Sequence, residues 1–156
     1  MTQRADLHLH TAVSDGMLTP SDVVRKAAAL AINVLSVTDH DTIAGIPEAV
    51  SAGQAAGVTV IPGVELSCEG DEEVHLLRYG YAGGAVAIQD FLDEMIRERR
   101  VRMAAMLEKA AALGIAIPPG EVRTGGGPFV GRVHLARALV GAGAASSVRQ
   151  AFSKYL

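Results

Sequence analysis

The stretch Val34-Leu35-Ser36-Val37-Thr38-Asp39-His40-Asp41 decides the fold, because a short β-favouring run ends abruptly in a cluster of ionisable side chains. On its N-terminal side, Thr19-Pro20-Ser21-Asp22 reads as a helix start. Thr19 is the N-cap, Pro20 occupies the first helical position, and Asp22 lies near the positive end of the dipole. The helix is expected to run through about Leu30 and to have stopped by Asn33. Before it, Ala5-Asp6-Leu7-His8-Leu9-His10 alternates with a strand period that puts Asp6, His8 and His10 on one face. Downstream, residues 47–56 are Ala-rich and helical and Gly57 is the C-terminal glycine. Residues 58–61 form a buried strand, which Pro62-Gly63 is expected to end or kink before Glu65. Strand, helix, strand, helix, strand with short connections implies parallel βαβ units with right-handed crossovers.

Residues 74–81 read as a further strand, joined to the segment around Glu65 by a turn at residues 70–73, so an antiparallel hairpin fits there. From residue 85 to about 113 the pattern becomes one long helix, with Ile88, Phe91, Leu92, Met95, Ile96, Met103 and Leu107 marking an apolar stripe and residues 97–102 a charged stretch. Gly114 caps it. Pro118-Pro119-Gly120 and Gly125-Gly126-Gly127-Pro128 are breaks, followed by helices at 132–140 and 146–155, with a faint strand signal at 115–117. The expected division is an α/β part over residues 1–83 and a helical part over 84–156.

Composition narrows the function. Of 156 residues, 49% are hydrophobic and 20% charged, which suits a packed core and not a disordered chain. The net charge of −3 supplies no global basic field, so a nucleic-acid substrate would need a local site. The single cysteine, Cys68, excludes an internal disulfide and paired-thiolate metal binding, and fits a reducing cytoplasm. Residues 1–6 lead into the first strand without an apolar leader, and no apolar run approaches the ~20 residues of a membrane span. The expected location is the cytoplasm, with no membrane partner.

Four of the five histidines, His8, His10, His40 and His75, fall on strands or strand ends. Polar groups at the carboxyl ends of parallel strands line the functional crevice of such folds. His8 and His10, at i and i+2, can ligate one metal ion; Asp15 sits on the following loop, His40 arrives from the second strand and Glu65 from the third. A mixed imidazole and carboxylate set suits Zn, Mn or Fe better than Ca or Mg, and can hold two or three ions with a bridging carboxylate. Taken singly, each of these histidines is as well explained as a satisfied core or surface group; their conjunction is not. Asp6 and Asp39 fit the orienting of an imidazole better than direct ligation. Asp41, with Thr42, reads as a helix-entry cap. Ser67 and Cys68 read as plain strand-end residues, and Cys68 has no catalytic role.

Asp6-Leu7-His8-Leu9-His10-Thr11, Ser14-Asp15-Gly16, Leu18-Thr19-Pro20, Thr38-Asp39-His40-Asp41-Thr42, Gly45 and Ile61-Pro62-Gly63-Val64-Glu65-Leu66-Ser67 resemble, in order, the opening motifs of the PHP (polymerase and histidinol phosphatase) family. The segment from Gly131 to Leu139 and the residues that follow resemble the helical insertion of its nucleotide phosphoesterase branch, which includes 3',5'-nucleoside bisphosphate phosphatases and RNA 5'-exonucleases. The resemblance implies the N-terminal part of a distorted (β/α)7 barrel with a helical insertion. It implies metal ligation by His8, His10, Asp15, His40, Glu65 and His75, with Glu65 bridging. It also implies hydrolysis of phosphoesters of nucleotides or short oligonucleotides with divalent Mn, Zn or Fe, two or three ions per complete site. Arg132 and His134 would hold the substrate phosphate, Asp39 would orient a ligand histidine, and His134 is also the candidate proton donor; a plain polar helix face is the competing reading of Arg132 and His134. Arg78 stands where the family's strand carries glycine. Family members carry further barrel strands and further ligands beyond the insertion, so the chain is expected to correspond to an N-terminal half. Two alternatives follow, a catalytically incomplete metal-binding fragment that self-associates through an exposed barrel edge, and a histidinol-phosphatase or polymerase-type module.

Overall fold

The computed structural model describes residues 4–68, 74–80, 85–122 and 124–156, the side chains of 85–87 excepted. The chain runs β1 (Ala5–Leu9), α1 (Pro20–Ala29), β2 (Val34–Val37), α2 (Ile46–Ala56), β3 (Thr59–Cys68), β4 (Val74–Tyr79), α3 (Ala85–Ala112), a 3₁₀ turn (Pro119–Glu121), α4 (Arg132–Gly141) and α5 (Val148–Tyr155). The sheet order is β1-β2-β3-β4. β1, β2 and β3 are parallel, with Ala5 opposite Val34 and Val34 opposite Thr59, and β4 is antiparallel to β3.

Local chemistry explains the elements. Thr19 Oγ1 accepts from the Asp22 N–H at 3.1 Å and Pro20 opens α1. Gly57 takes the left-handed conformation (φ 69°) that closes α2, which begins at Ile46 with Gly45 as its N-cap. Asp41 therefore does not cap that helix. Its own backbone is left-handed (φ 50°), and its carboxylate instead reaches β3 and α3.

Pro62-Gly63 does not end the third strand. β3 continues to Cys68 because it changes partner there: Thr59 to Pro62 pair with β2, and Gly63 to Cys68 pair with β4. The proline's missing N–H thus falls at the switch between ladders, where it interrupts neither. Gly63 is required by close approach, since a Cβ would run into Ser36 Oγ and Thr38 Cγ2. The sheet also curls. Tyr79 at the far edge donates its hydroxyl to the Leu7 carbonyl at 2.8 Å, joining the first and last strands of the order. This is the curved, half-closed wall of a barrel and it directs the strand ends toward one point. β4 ends at Tyr79, and the turn at 70–73 and Tyr81 lie outside the described residues.

Val24, Leu35, Val37, Ala49 and Val64 are fully buried between sheet and helices, and Ile88 and Leu92 of α3 join them. A second cluster gathers Met103, Ile117, Leu135, Leu139 and Ala151, so α3 packs against both. Phe91 lies off the stripe that packs and is 53% exposed. Residues 115–117 form no strand among the described residues; Ile115 N–H bonds back to the Ala110 carbonyl at 3.0 Å and Ile117 fills the second cluster. No described helix is long and apolar enough to cross a membrane.

Candidate metal centre

Glu65 is the centre of the site. Its carboxylate is buried to 5% exposure in the part of β3 beyond the partner switch. Beyond β2 the chain meets Glu65 again through an isolated parallel bridge at His40, with the Asp41 N–H on the Glu65 carbonyl at 2.9 Å. His8 lies in β1 and His10 just past its end, and β4, two positions along the register at Ser67, brings His75. Glu65 Oε2 lies 2.9 Å from His10 Nε2, 3.0 Å from His8 Nε2 and 3.6 Å from His40 Nδ1, while Oε1 lies 3.0 Å from His75 Nδ1. Asp15 completes the ring: Oδ1 is 3.3 Å from His10 Nδ1 and Oδ2 is 3.8 Å from His40 Nε2.

All six expected ligands are therefore brought together. Their donor atoms form three overlapping groups, His8-His10-Glu65, His10-Asp15-His40 and His40-Glu65-His75, each spanning no more than 4.8 Å. Among the described residues the buried Nδ1 atoms of His10 and His40 make no well-formed hydrogen bond, only the looser approaches to Asp15 and Glu65, and the Nε2 atoms of His8 and His10 stand 3.1 Å apart, both turned to one carboxylate oxygen. Buried imidazole nitrogens left without partners are costly, and divalent cations among them would satisfy each one. The donor set, four imidazoles and two carboxylates, fits such ions.

The electrostatics point the same way. Burial works against the Asp15 carboxylate, yet His10 and His40 beside it prevail and hold its pKa down at about 2. Glu65 is likewise held below the usual range: burial opposes ionisation and His8, His40 and His10 outweigh it. Burial pushes His40 down, against the pull of Asp15 and Glu65, whereas for His10 the nearby acids outweigh burial and raise it. Both carboxylates are thus anionic at neutral pH.

Asp39 is buried at 1% and accepts from Thr11 N–H (2.7 Å), Thr11 Oγ1 (2.6 Å) and Ser14 Oγ (2.6 Å). Among the described residues none of its hydrogen bonds goes to a histidine; it holds the loop that carries Asp15. His134 is also buried, at 2%, with Nδ1 accepting from the Gly131 N–H at 3.1 Å. Arg132 lines a cleft of about 160 Å³ beside the centre, with Asp15, His40 and His75 on one side and Arg99, Phe129 and Phe152 also on its walls.

Sequence reasoning missed three groups. Arg99 donates to Asp41 Oδ2 at 2.6 Å and to Ser67 Oγ at 2.5 Å, and its guanidinium lies 4.4 Å from the centre of the Phe129 ring. Arg99 sits in a run of charges and Phe129 in a glycine-rich break, and no local spacing marks either. Asp41 carried a signal, an acid beside His40 at a strand end, which the cap reading absorbed.

Comparison with known proteins gives the family. The family model described as the PHP domain matches residues 6–85. The chain is 38% identical, over 97% of its length and 53% of the relative's, to 5'-3' exoribonuclease Rnm of Salmonella typhimurium. It is 39% identical, over 97% of its length and 54% of the relative's, to a 3',5'-nucleoside bisphosphate phosphatase of Chromobacterium violaceum. A structure described as a metal-dependent phosphoesterase from Bifidobacterium adolescentis superposes with a TM-score of 0.88 at 31% identity, covering 99% of this chain and 56% of that one. The chain spans about half the length of the curated relatives it matches. The fold is thus the N-terminal part of the barrel those proteins share, and the chain belongs to the PHP domain family.

Proposed function

We propose that the chain carries the metal centre of a phosphoesterase acting on phosphorylated nucleotides or short oligonucleotides, in the manner of the bisphosphate phosphatase and exoribonuclease to which it is similar. The observation that carries this reading is the approach of four imidazoles to the single buried carboxylate of Glu65. His8, His10, Asp15, His40, Glu65 and His75 would hold two or three divalent ions, Mn, Zn or Fe, with Glu65 shared between positions. Bound there, such ions supply the positive charge that acidifies water and stabilises a phosphoryl group under attack. Arg132, which lines the cleft, holds the substrate phosphate and shares its charge. His134 and Asp39 are not among the residues that line that cleft; Asp39 holds the loop that presents Asp15 and His134 is buried beside it, so on this reading they act through position and not by proton transfer. A cytoplasmic location, with nucleotide substrates and a lone unpaired cysteine, belongs to the same reading.

The test is hydrolysis of adenosine 3',5'-bisphosphate and of a short 5'-phosphorylated RNA by the purified chain with Mn²⁺, with bound metal measured in the same sample. Turnover that disappears in His8→Ala is the expected result. No turnover from fully metal-loaded chain would overturn the reading in favour of a metal-binding domain without hydrolytic function of its own.

A further inference from the structure

The loop of residues 11–16, which carries Asp15, is gripped from two sides. From the barrel, Asp39 takes three hydrogen bonds from Thr11 and Ser14. From the helical segment, the contacts are independent of these. Arg137 on α4 donates through Nη2 to the Asp15 carbonyl at 3.1 Å. His134, one turn earlier on the same helix, is buried and uses Nδ1 as acceptor for the Gly131 N–H, so the neutral ring carries its proton on Nε2, and the ring lies close enough to Asp15 to act on its charge. Gly125 and Gly127 lie so close to the loop that a Cβ on either would strike the Ala12 or Val13 carbonyl oxygen.

We infer that α4 and the glycine-rich strap before it are a clamp on the Asp15 loop, and that His134 and Arg137 are positioning residues which set metal affinity at the His10-Asp15-His40 position. This rests on the metal-centre reading and extends it. The physical reason is that a short loop anchored only at Asp39 leaves the Asp15 carboxylate free to swing, and ordering it on metal binding costs conformational entropy. The Arg137 hydrogen bond, the buried His134 ring and the close-packed strap remove that freedom beforehand, as outer partners of metal ligands do in general. The His8-His10-Glu65 position does not use this loop. Loosening the clamp should therefore weaken the His10-Asp15-His40 position and spare those that lack Asp15, instead of weakening all.

The experiment is Mn²⁺ titration of the full chain, with free Mn²⁺ read by electron paramagnetic resonance, for wild type, Arg137→Ala, Arg137→Lys and His134→Gln. Thermal unfolding of each metal-free sample accompanies it. Arg137 is exposed, so Arg137→Ala should fold even where His134→Gln does not. The expected result is a Kd about 10–100-fold weaker for one class of site in Arg137→Ala and His134→Gln, with the other class unchanged and Arg137→Lys recovering part of the loss. Unchanged affinity at every site in folded Arg137→Ala would overturn the clamp. Equal weakening of all sites would overturn it too, as a general structural effect. A wild-type chain that binds no Mn²⁺ would overturn the metal-centre reading itself, and the clamp with it.

Discussion

The ring of Phe129 lies nearly parallel to that of His40, 18° from coplanar with centroids 5.4 Å apart. Phe129 is only 3% exposed, and its ring also receives the Arg99 guanidinium and an edge of His134. A flat, buried aromatic stacked on the His40 imidazole holds that ring against rotation and dries one side of it. Phe129→Ala should lower stability by about 3–5 kcal/mol and weaken metal binding at the positions that use His40, while Phe129→Leu should cost distinctly less. Urea denaturation with parallel metal titration checks both; equal effects of Ala and Leu would mean that the ring's shape is immaterial.

Asp39 offers a second test. Its carboxylate is buried with three donors aimed at it, so Asp39→Ala removes the acceptor of the Thr11 N–H, the Thr11 hydroxyl and the Ser14 hydroxyl and should destabilise by about 3 kcal/mol. Asp39→Asn keeps the shape and should cost less, since both hydroxyls can rotate to suit an amide. Denaturation midpoints of the two variants decide this; Asn as damaging as Ala would show that charge, and not hydrogen bonding, is what the loop needs.

In the sequence Gly63 reads as part of a strand-ending or kinking Pro-Gly pair, and the structure gives it another reason. Gly63→Ala forces a methyl group against Ser36 Oγ and Thr38 Cγ2 and should cost about 1–3 kcal/mol. Ser36→Ala in the same chain removes the nearest atom and should recover part of that loss. A double variant no better than the single one would point to the backbone conformation instead.

For His134, burial lowers the imidazole pKa, with the Arg137 charge adding to it. The folded state therefore resists a proton that the unfolded chain accepts near its ordinary value of 6.5. This contribution to stability is full above 6.5 and is lost as pH falls from there toward the lowered value. Metal-free wild type should lose more stability between pH 7 and 5.5 than His134→Gln does, measured by urea denaturation. Parallel losses in the two proteins would contradict the assignment. Asp15, held at about 2 from 3.8, acts in a separate acidic window between those values.

Much of this was legible in the sequence because it is local. Thr19-Pro20-Ser21-Asp22 states a helix start in its own atoms, and His8-Leu9-His10 states a shared strand face. The convergence of His40 and Glu65 was legible too, since parallel strands bring their ends together. What was not legible depends on distant partners. Pro62-Gly63 stops a strand only if the same neighbour is needed on both sides of it, and here the ladder changes from β2 to β4. Arg99 and Phe129 gain meaning only when α3 and the glycine-rich strap fold over His40. His134 lies on the helix where the pattern put it, but its direction, inward to Gly131 and Ser14, was set by packing.

The central claim is that Glu65 is shared between metal positions, and the most direct measurement is the number of Mn²⁺ ions bound per chain in wild type and in Glu65→Ala. Glu65 belongs to two of the three ligand groups, so wild type should hold at least two ions and Glu65→Ala should retain at most one, from His10, Asp15 and His40. An undiminished metal count in folded Glu65→Ala would contradict the account.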